Sequence, residues 1–599
     1  MSSYLSKFLY VLPTNKSRLL PLLLVFLFAP VLDTLGIGLI GAFTGLATNP
    51  ESIYHMAFLS DIYHKSGLKS IKLFITLLGL VIMVVFYIKS ALFLQIQRYI
   101  YRFSYGQQRK LRLKLMKTYL SAPYTFHIQA NTADLIHNVF NETNIFCNKI
   151  MLPSLQGLSE FAVIIFLVLL LAKTDLVATA TVSSLLLMAF LIYNQFRGRL
   201  AHLGKEASKA QAEALRILNH ALGGFKEMRV IGCEGYFENQ MDEQAKRYTK
   251  AGSTYQVFQI IPRLLIEVIL ITFLIGFTSI FIIIHTNTQN FTSVLSIFAV
   301  ASIRLIPSVS KFMSALGDLR NSSYALDKLY LDVKEIENLK STQRKEPLPH
   351  SSTEPPFSSQ ITNSQAMPFV NQVVLDKLTY RYPNAPEPAL KEVSLTLPRG
   401  HSIAFIGKSG AGKTTLVDVI LGLLTPESGD ITVDGLSVYT NLRSWQNLVG
   451  YIPQSIFLID DTLERNIAYG VPDPLIDLNR LNNAINAAQL EDLVEQLPNG
   501  IKTTVGERGV RLSGGQRQRV GIARALYHQR EILVMDEATA ALDAETETLV
   551  TEAIKSLSGT KTIIIIAHRL STVKHCDCIY LIDRGSIAKS GSYQEVVGD

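Results

Sequence analysis

Gly407-Lys408-Ser409-Gly410-Ala411-Gly412-Lys413-Thr414 fits the pattern G-x-x-x-x-G-K-[ST]. It follows an apolar run, Ser402 to Ile406, and precedes an amphipathic one, Thr415 to Leu424, which is the strand–loop–helix context the pattern requires. Glycines let the backbone curl so that successive N–H groups point at phosphate oxygens, and a helix N-terminus adds favourable partial charge. Lys413 is expected to reach the terminal phosphates of a nucleotide, and the Thr414 hydroxyl to hold Mg²⁺. Further along, Ile532-Leu533-Val534-Met535-Asp536-Glu537 is a buried-strand run ending in two carboxylates. Parallel strands present their C-terminal ends to a ligand. Asp536 is therefore expected to hold Mg²⁺ through water, and Glu537 to polarise an attacking water. Alone, such a run is as readily structural; downstream of a phosphate loop it reads as hydrolytic.

Leu512-Ser513-Gly514-Gly515-Gln516 opens a helix rich in arginine (Arg517, Arg519, Arg524). With the phosphate loop about 100 residues before it and Asp536-Glu537 about 20 after, the chain from roughly 373 to 599 resembles the ABC ATPase family. The resemblance implies that Ser513 and Gly515 contact the γ-phosphate of ATP held by a partner subunit's phosphate loop. Tyr382 matches the aromatic that stacks on adenine, although alone it is equally a strand-end tyrosine. Gln454, in Tyr451-Ile452-Pro453-Gln454, matches the glutamine that senses Mg²⁺ and touches the membrane domain. Glu507-Arg508-Gly509 is similar to the cross-talk segment of exporters, and His568 matches the histidine on the γ-phosphate. Leu542-Asp543 matches the dimer-interface loop, although Ala540 stands where many relatives carry serine. The ATP-binding set implied is thus Tyr382, Gly407, Lys408, Ser409, Gly410, Ala411, Gly412, Lys413, Thr414, Thr415, Ser513, Gly514, Gly515, Gln516 and Asp543. Glu537, His568 and Gln454 are the catalytic residues, and Thr414, Gln454 and Asp536 surround Mg²⁺. Because both Glu537 and His568 are present, the site is expected to hydrolyse ATP. One ATPase domain per chain implies a dimer, most simply a homodimer with two composite sites; a heterodimer with a paralogue is the alternative.

The elements that must carry this site are of two kinds. The 599 residues are 48% hydrophobic and only 18% charged, with mean hydropathy +0.24, so part of the chain faces lipid. Spans of about 20 apolar residues cross a bilayer, and they occur near 19–46, 73–94, 150–171, 176–195, 258–284 and 291–313. The net charge of +8 gathers beside them: Arg98 to Lys117 follow the second span and Arg197 to Lys250 the fourth, whereas Thr286 to Asn290 carries none. By the positive-inside rule the basic connectors and the C-terminal half are cytoplasmic, and a nucleic-acid partner is disfavoured. The connectors Gln95 to Leu120 and Arg197 to Leu222 are proline-free and rich in helix formers, and breaks follow them at Ser121-Ala122-Pro123 and Gly223-Gly224. They read as levers extending the membrane helices, each ending in a short helix near Pro123 to Asn131 and Gly223 to Gly232; solvated charged helices are the plainer alternative. The expected fold class is multidomain: an all-α six-helix transmembrane domain over 1–335, a flexible linker over 336–370, and an α/β phosphate-loop ATPase domain over 371–599. Cys147, Cys233, Cys576 and Cys578 have neither disulfide-framework nor zinc spacing and are expected to be reduced. The N-terminus lacks the pattern of a cleaved signal peptide, so the first span is expected to be retained.

This order of domains resembles the exporter branch called type IV. ATP is expected to close the ATPase dimer and turn the cavity from inward- to outward-facing, shifting the population by its preference for the closed form. With no cysteine before Cys147 and no protease-like domain before span one, leader-cleaving peptide exporters are disfavoured. The loop from about Ala47 to Ser70 (Ile53, Met56, Phe58 and Ile62 at helical spacing) reads as a short amphipathic helix at the outer surface. Together with Pro262 to Glu267 and Arg304 to Pro307, it is similar to bacterial lipid-linked oligosaccharide flippases. Glu160, Arg263, Glu267 and Arg304 fall inside spans, where ionised groups cost about 2.5–3.5 kcal/mol. They are expected to line the cavity, with Arg263 and Arg304 binding the pyrophosphate of a lipid-linked glycan. The alternative is that Arg263 pairs with Glu267 as a brace. Multidrug or lipid export and an ATP-gated channel are the competing functions.

Overall fold

A computed structural model describes residues 2–12, 50–55, 57–65, 70–284, 291–343, 367–383, 385–536, 544–567 and 573–598, with a few single positions between them. The chain forms two compact units: Met1–Ala122 with Phe126–Thr342, and Pro123–Thr125 with Gln343–Asp599.

The first unit is helical. Among the described residues, four helices are long and apolar enough to cross a membrane: Ile71–Leu120, Thr132–Thr174, Leu176–Gln195 and Glu234–Ser279. The first expected span lies almost wholly outside the described residues, and the sixth falls on the helix Phe291–Asn321. Ile71–Leu120 has 50 residues, so at about 1.5 Å per residue it runs to roughly 75 Å, more than twice a hydrocarbon core. Its basic second half therefore continues beyond the membrane as one rod with the span. Arg197–Gly223 follows Leu176–Gln195 as a separate helix after a turn at Phe196, and short helices, Tyr124–Gln129 and Phe225–Ile231, follow Leu120 and Gly223. Asp175 makes the tight reversal between the third and fourth spans, its Oδ1 accepting from the Ala178 N–H at 2.9 Å. The spans share a core that includes Leu167, Val182, Ile266, Leu270, Phe298 and Leu305.

Two details depart from the sequence expectation. The stretch expected to be one amphipathic helix before Ser70 is a 3₁₀ turn, Pro50–His55, followed by the helix Ala57–Lys65, with Ile53 fully buried against Leu46 and Phe74. The helix Ser323–Gln343 also reaches into the expected linker. Its stripe Leu326, Leu329, Val333 and Ile336, at three- and four-residue spacing, is buried against Leu115, Ile150 and Met151, so order persists past residue 336.

The second unit contains two sheets. β1 (Gln372–Tyr380), β2 (Leu390–Pro398), β4 (Ser428–Val433) and β5 (Leu436–Ser437) form an antiparallel sheet in the order β2-β1-β4-β5. β3 (Ser402–Ile406), β6 (Val449–Ile452), β7 (Ile532–Asp536), β8 (Thr562–Ile566), β9 (Cys578–Asp583) and β10 (Ser586–Gly591) form the second, in the order β10-β9-β3-β8-β7-β6. All of its pairings except β9–β10 are parallel. Its central strands are apolar on both faces, as a covered parallel sheet demands. Ile403, Phe405, Val534, Ile564 and Ile566 point into one core, shared with β1, β2 and the helix Lys413–Ile420. Ala404, Leu533, Met535, Ile563 and Ile565 point into the other, shared with the helix Gly514–Tyr527.

Trp445 is completely buried in the first of these cores and donates from Nε1 to the Ile420 carbonyl at 2.7 Å, tying down the end of the phosphate-loop helix. Trp445→Ala is expected to cost about 3–5 kcal/mol, read as a lower thermal midpoint of the ATPase-domain transition in the full-length protein.

Candidate ATPase site

The phosphate loop leaves β3 at Gly407 and enters the helix Lys413–Ile420 at Gly412. Gly407, Gly410 and Gly412 have φ of +150°, +79° and +108°, conformations that a side chain would strain. At Gly412 a Cβ would also stand 2.9 Å from the Ala389 carbonyl, so both backbone and space require glycine. No side chain caps the helix, and its first N–H groups are left for an anion. Lys413 is buried (5% exposed), its Nζ donating to the Gly407 and Lys408 carbonyls at 2.7 and 3.0 Å. The ammonium thus lies inside the ring of backbone that phosphates would occupy. Tyr382 reaches over the start of the helix, its hydroxyl 3.1 Å from Thr415 Oγ1 and its ring edge-on to Tyr380 at 5.1 Å.

Strand register assembles the rest. Phe405 pairs with Ile566 of β8, Ile566 with Asp536 of β7, and Met535 with Ile452 of β6. The chain ends of four parallel strands therefore reach one edge of the sheet, where Gly407, Asp536 and Gln454 follow in a row. Asp536 is buried (8% exposed), and Tyr451 of β6 donates to its Oδ2 across 3.4 Å. Gln454 is exposed two residues beyond β6. Glu537, Asp543 and His568 lie outside the described residues, each directly or closely after an element that ends at this edge.

Ser513 caps the helix Gly514–Tyr527 in a reciprocal box: its Oγ accepts from the Gln516 N–H at 3.2 Å, and its own N–H donates to Gln516 Oε1 at 2.8 Å. Ser513 and Gly514 are exposed, whereas Gly515 is buried. The arginines behind them brace their own domain. Arg517 donates to the Leu512 carbonyl at 3.0 Å, Arg519 to Gln489 at 2.5 Å, and Arg524 to Asn466 at 2.9 Å. This helix and the phosphate-loop helix belong to the cores on opposite faces of one sheet.

Residues 390–540 match the family described as ABC transporter, and residues 35–304 match the ABC transporter transmembrane region. An "ATP-dependent lipid A-core flippase" of Cupriavidus metallidurans is 30% identical over 505 residues, covering 83% of this chain and 80% of that protein. The chain belongs to the ABC transporter family. A protein of the same name from Methylobacillus flagellatus is 41% identical over 226 residues, covering 38% of this chain and 39% of its own. The structure of a bacterial Atm1-family ABC exporter with ATP bound shares the fold, with TM-score 0.72 at 20% identity over 95% of this chain and 96% of that one. The transporter is thus a multi-pass membrane exporter that couples ATP hydrolysis to transport, with a helical membrane region followed by its ATPase domain.

Inside the membrane region of the transporter, the charged residues divide. Glu160, 9% exposed on the helix Leu152–Thr174, lies 3.5 Å from Arg304 and 3.4 Å from Lys311, both on Phe291–Asn321. Arg263 is exposed and Glu267 half-buried, and among the described residues they form no ion pair with each other despite their one-turn spacing. Sequence reasoning missed Lys311; its i, i+7 spacing from Arg304, two turns along one helix face, was the available signal. It also passed over Asp418, which lies on the phosphate-loop helix. Burial, and then the nearby Asp536, push the Asp418 carboxyl up to about 6. A raised carboxyl favours the protonated form in the folded state, so ionised Asp418 costs stability at neutral pH, and the cost fades as pH falls through about 6. Between pH 7 and pH 5 the nucleotide-free protein is expected to lose less stability than Asp418→Asn does, as thermal midpoints of the two side by side would reveal. Lys413→Ala is expected to abolish ATP hydrolysis with the fold intact, as measured by phosphate release.

Proposed function

We propose that the transporter works as a homodimer and moves an amphiphilic lipid with an anionic, glycosylated headgroup, a lipid-linked oligosaccharide or related glycolipid, from the cytoplasmic to the outer side of the membrane. The observation that carries the cargo reading is the buried Glu160 flanked by Arg304 and Lys311 between two membrane helices. Charge in such a place is expensive unless paired. Two cations facing one carboxylate leave an excess of positive charge that a phosphate or pyrophosphate can take up by displacing Glu160. Arg263, exposed on a neighbouring helix, would supply a further donor. The relatives named as lipid A-core flippases support a lipid or glycolipid cargo.

The opposite-face placement of Ser513 and Lys413 supports the dimer: each phosphate loop needs the Ser513 helix of a second copy. Thr414, Asp536 and Gln454 are the residues that would hold Mg²⁺, and the buried Asp536 gives a divalent cation negative charge to neutralise. Held there, Mg²⁺ would supply positive charge that offsets the negative charge developing on the phosphates during hydrolysis. The chain's own residues position the rest: the loop N–H groups and Lys413 hold the phosphates, Tyr382 the adenine, Glu537 the attacking water, and His568 the γ-phosphate.

Reconstituted transporter is expected to flip a fluorescent polyprenyl-pyrophosphate glycan with ATP, and Glu537→Gln to stop flipping while still binding ATP. Arg304→Ala is expected to lower flipping about tenfold or more, the loss of a charge-assisted contact, with basal ATP hydrolysis kept. Stimulation of hydrolysis by diverse amphiphilic drugs and not by glycolipid would favour a drug exporter, and downhill flux without directionality a gated channel.

A further inference from the structure

Membrane helices that share an apolar core meet at their cytoplasmic ends through polar side chains. Asp318, near the end of the helix Phe291–Asn321, presents one carboxylate oxygen to donors from two other helical segments. The Tyr255 hydroxyl donates to Asp318 Oδ1 at 2.7 Å and Gln259 Nε2 at 2.9 Å, both from Glu234–Ile284. Lys149 Nζ stands 3.4 Å from the same oxygen, on the segment Phe146–Met151 that leads into Leu152–Thr174. Gln259 also donates to the Tyr255 hydroxyl at 2.7 Å. Two residues beyond Asp318, Arg320 Nη2 donates to Asn194 Oδ1 of Leu176–Gln195 at 2.7 Å.

The same seam contains two polar atoms that its packing leaves without partners. Tyr193 is 3% exposed and its hydroxyl stands against Gly317, where an added Cβ would lie 2.8 Å away. Gly204, on Arg197–Gly223, approaches Asn321 so closely that a Cβ would lie 2.3 Å from the Asn321 carbonyl oxygen. The Tyr193 hydroxyl and Asn321 Oδ1 are both buried with no hydrogen-bond partner among the described residues. Such orphaned groups cost free energy that water would restore. Two opposing terms therefore act at this place: charge-assisted hydrogen bonds to Asp318 favour contact, and Tyr193 and Asn321 favour parting. Further along, the same helices pack through Leu270, Phe298 and Leu305, whose contacts water cannot replace. A polar end can exchange its partners for water at small net cost, whereas the apolar core cannot. We propose that this seam is a latch at the cytoplasmic mouth of the transport pathway, held shut by Asp318 and released when cargo enters. The inference rests on the reading that cargo is taken from the cytoplasmic side.

The test uses the full-length transporter in nanodiscs, with nitroxide-bearing amino acids replacing Lys250 and Glu335 and labelled copies diluted into unlabelled ones. Both positions are exposed, Lys250 on the helix of Tyr255 and Glu335 on the helix that follows Asn321. Without nucleotide, a short and a long distance are expected, and ATP in the Glu537→Gln background should leave the short one. Asp318→Ala is expected to raise the long-to-short ratio about tenfold, through loss of charge-assisted hydrogen bonds, and Asp318→Glu to raise it less. Gly204→Val wedges the seam without touching Asp318; it is expected to act like Asp318→Ala and serves if that variant fails to fold. A lower thermal midpoint with an unchanged ratio in both variants is what a purely structural cluster predicts, and it would overturn the latch. So would a single short distance in the wild type under all conditions while ATP-driven flipping continues, a result that leaves export standing. A ratio that answers to ATP and to Asp318→Ala with no flipping of glycan would uphold the latch and overturn the cargo reading alone.

Discussion

The ATPase half depends on one constraint: a parallel sheet must be covered on both faces, because its strands are joined by crossovers that carry helices. In this transporter the alternation along β3, β7 and β8 divides the apolar side chains cleanly between two cores. The phosphate-loop helix closes one face and the Ser513 helix the other. Parallel pairing also brings every strand to its end at the same edge, so residues far apart in the chain, such as Gly407, Gln454 and Asp536, become neighbours without any long-range contact chosen for that purpose. The same arrangement places the Ser513 helix on the face opposite the phosphate-loop helix.

Local chemistry then fixes the details. Glycines with left-handed backbone let the loop pass close to the Ala389 carbonyl, and the buried Lys413 holds the ring of carbonyls together. Trp445 anchors the far end of the same helix, so the loop is clamped at both ends. Ser513 satisfies its own helix start through Gln516, and the arginines that follow are used inside the domain. What faces outward at that point, Ser513 and Gly514, is small and polar.

In the membrane region the corresponding constraint is the price of charge in hydrocarbon. Glu160 persists at 9% exposure because Arg304 and Lys311 face it from the next helix. The rod Ile71–Leu120 runs from this layer to the aqueous side as one proline-free helix, whereas Glu234–Ile284 carries Pro262, which lacks an N–H for the helical ladder.

Much of this was legible in the residues. The phosphate loop, the strand ending in Asp536, the capping serine and the apolar spans are all local patterns, set by backbone conformation, strand alternation or the length needed to cross a bilayer, and so they are written in consecutive residues. The stripe Leu326, Leu329, Val333 and Ile336 was equally local, yet the polar composition around it obscured that the helix continues to Gln343. Only the tertiary structure decided the partners of charged groups. Arg263 and Glu267, one turn apart, form no pair, whereas Glu160 meets Arg304 and Lys311 from more than 140 residues away. Sequence spacing specifies which face a side chain occupies; what that face meets depends on helix packing and strand order, which no run of neighbouring residues encodes.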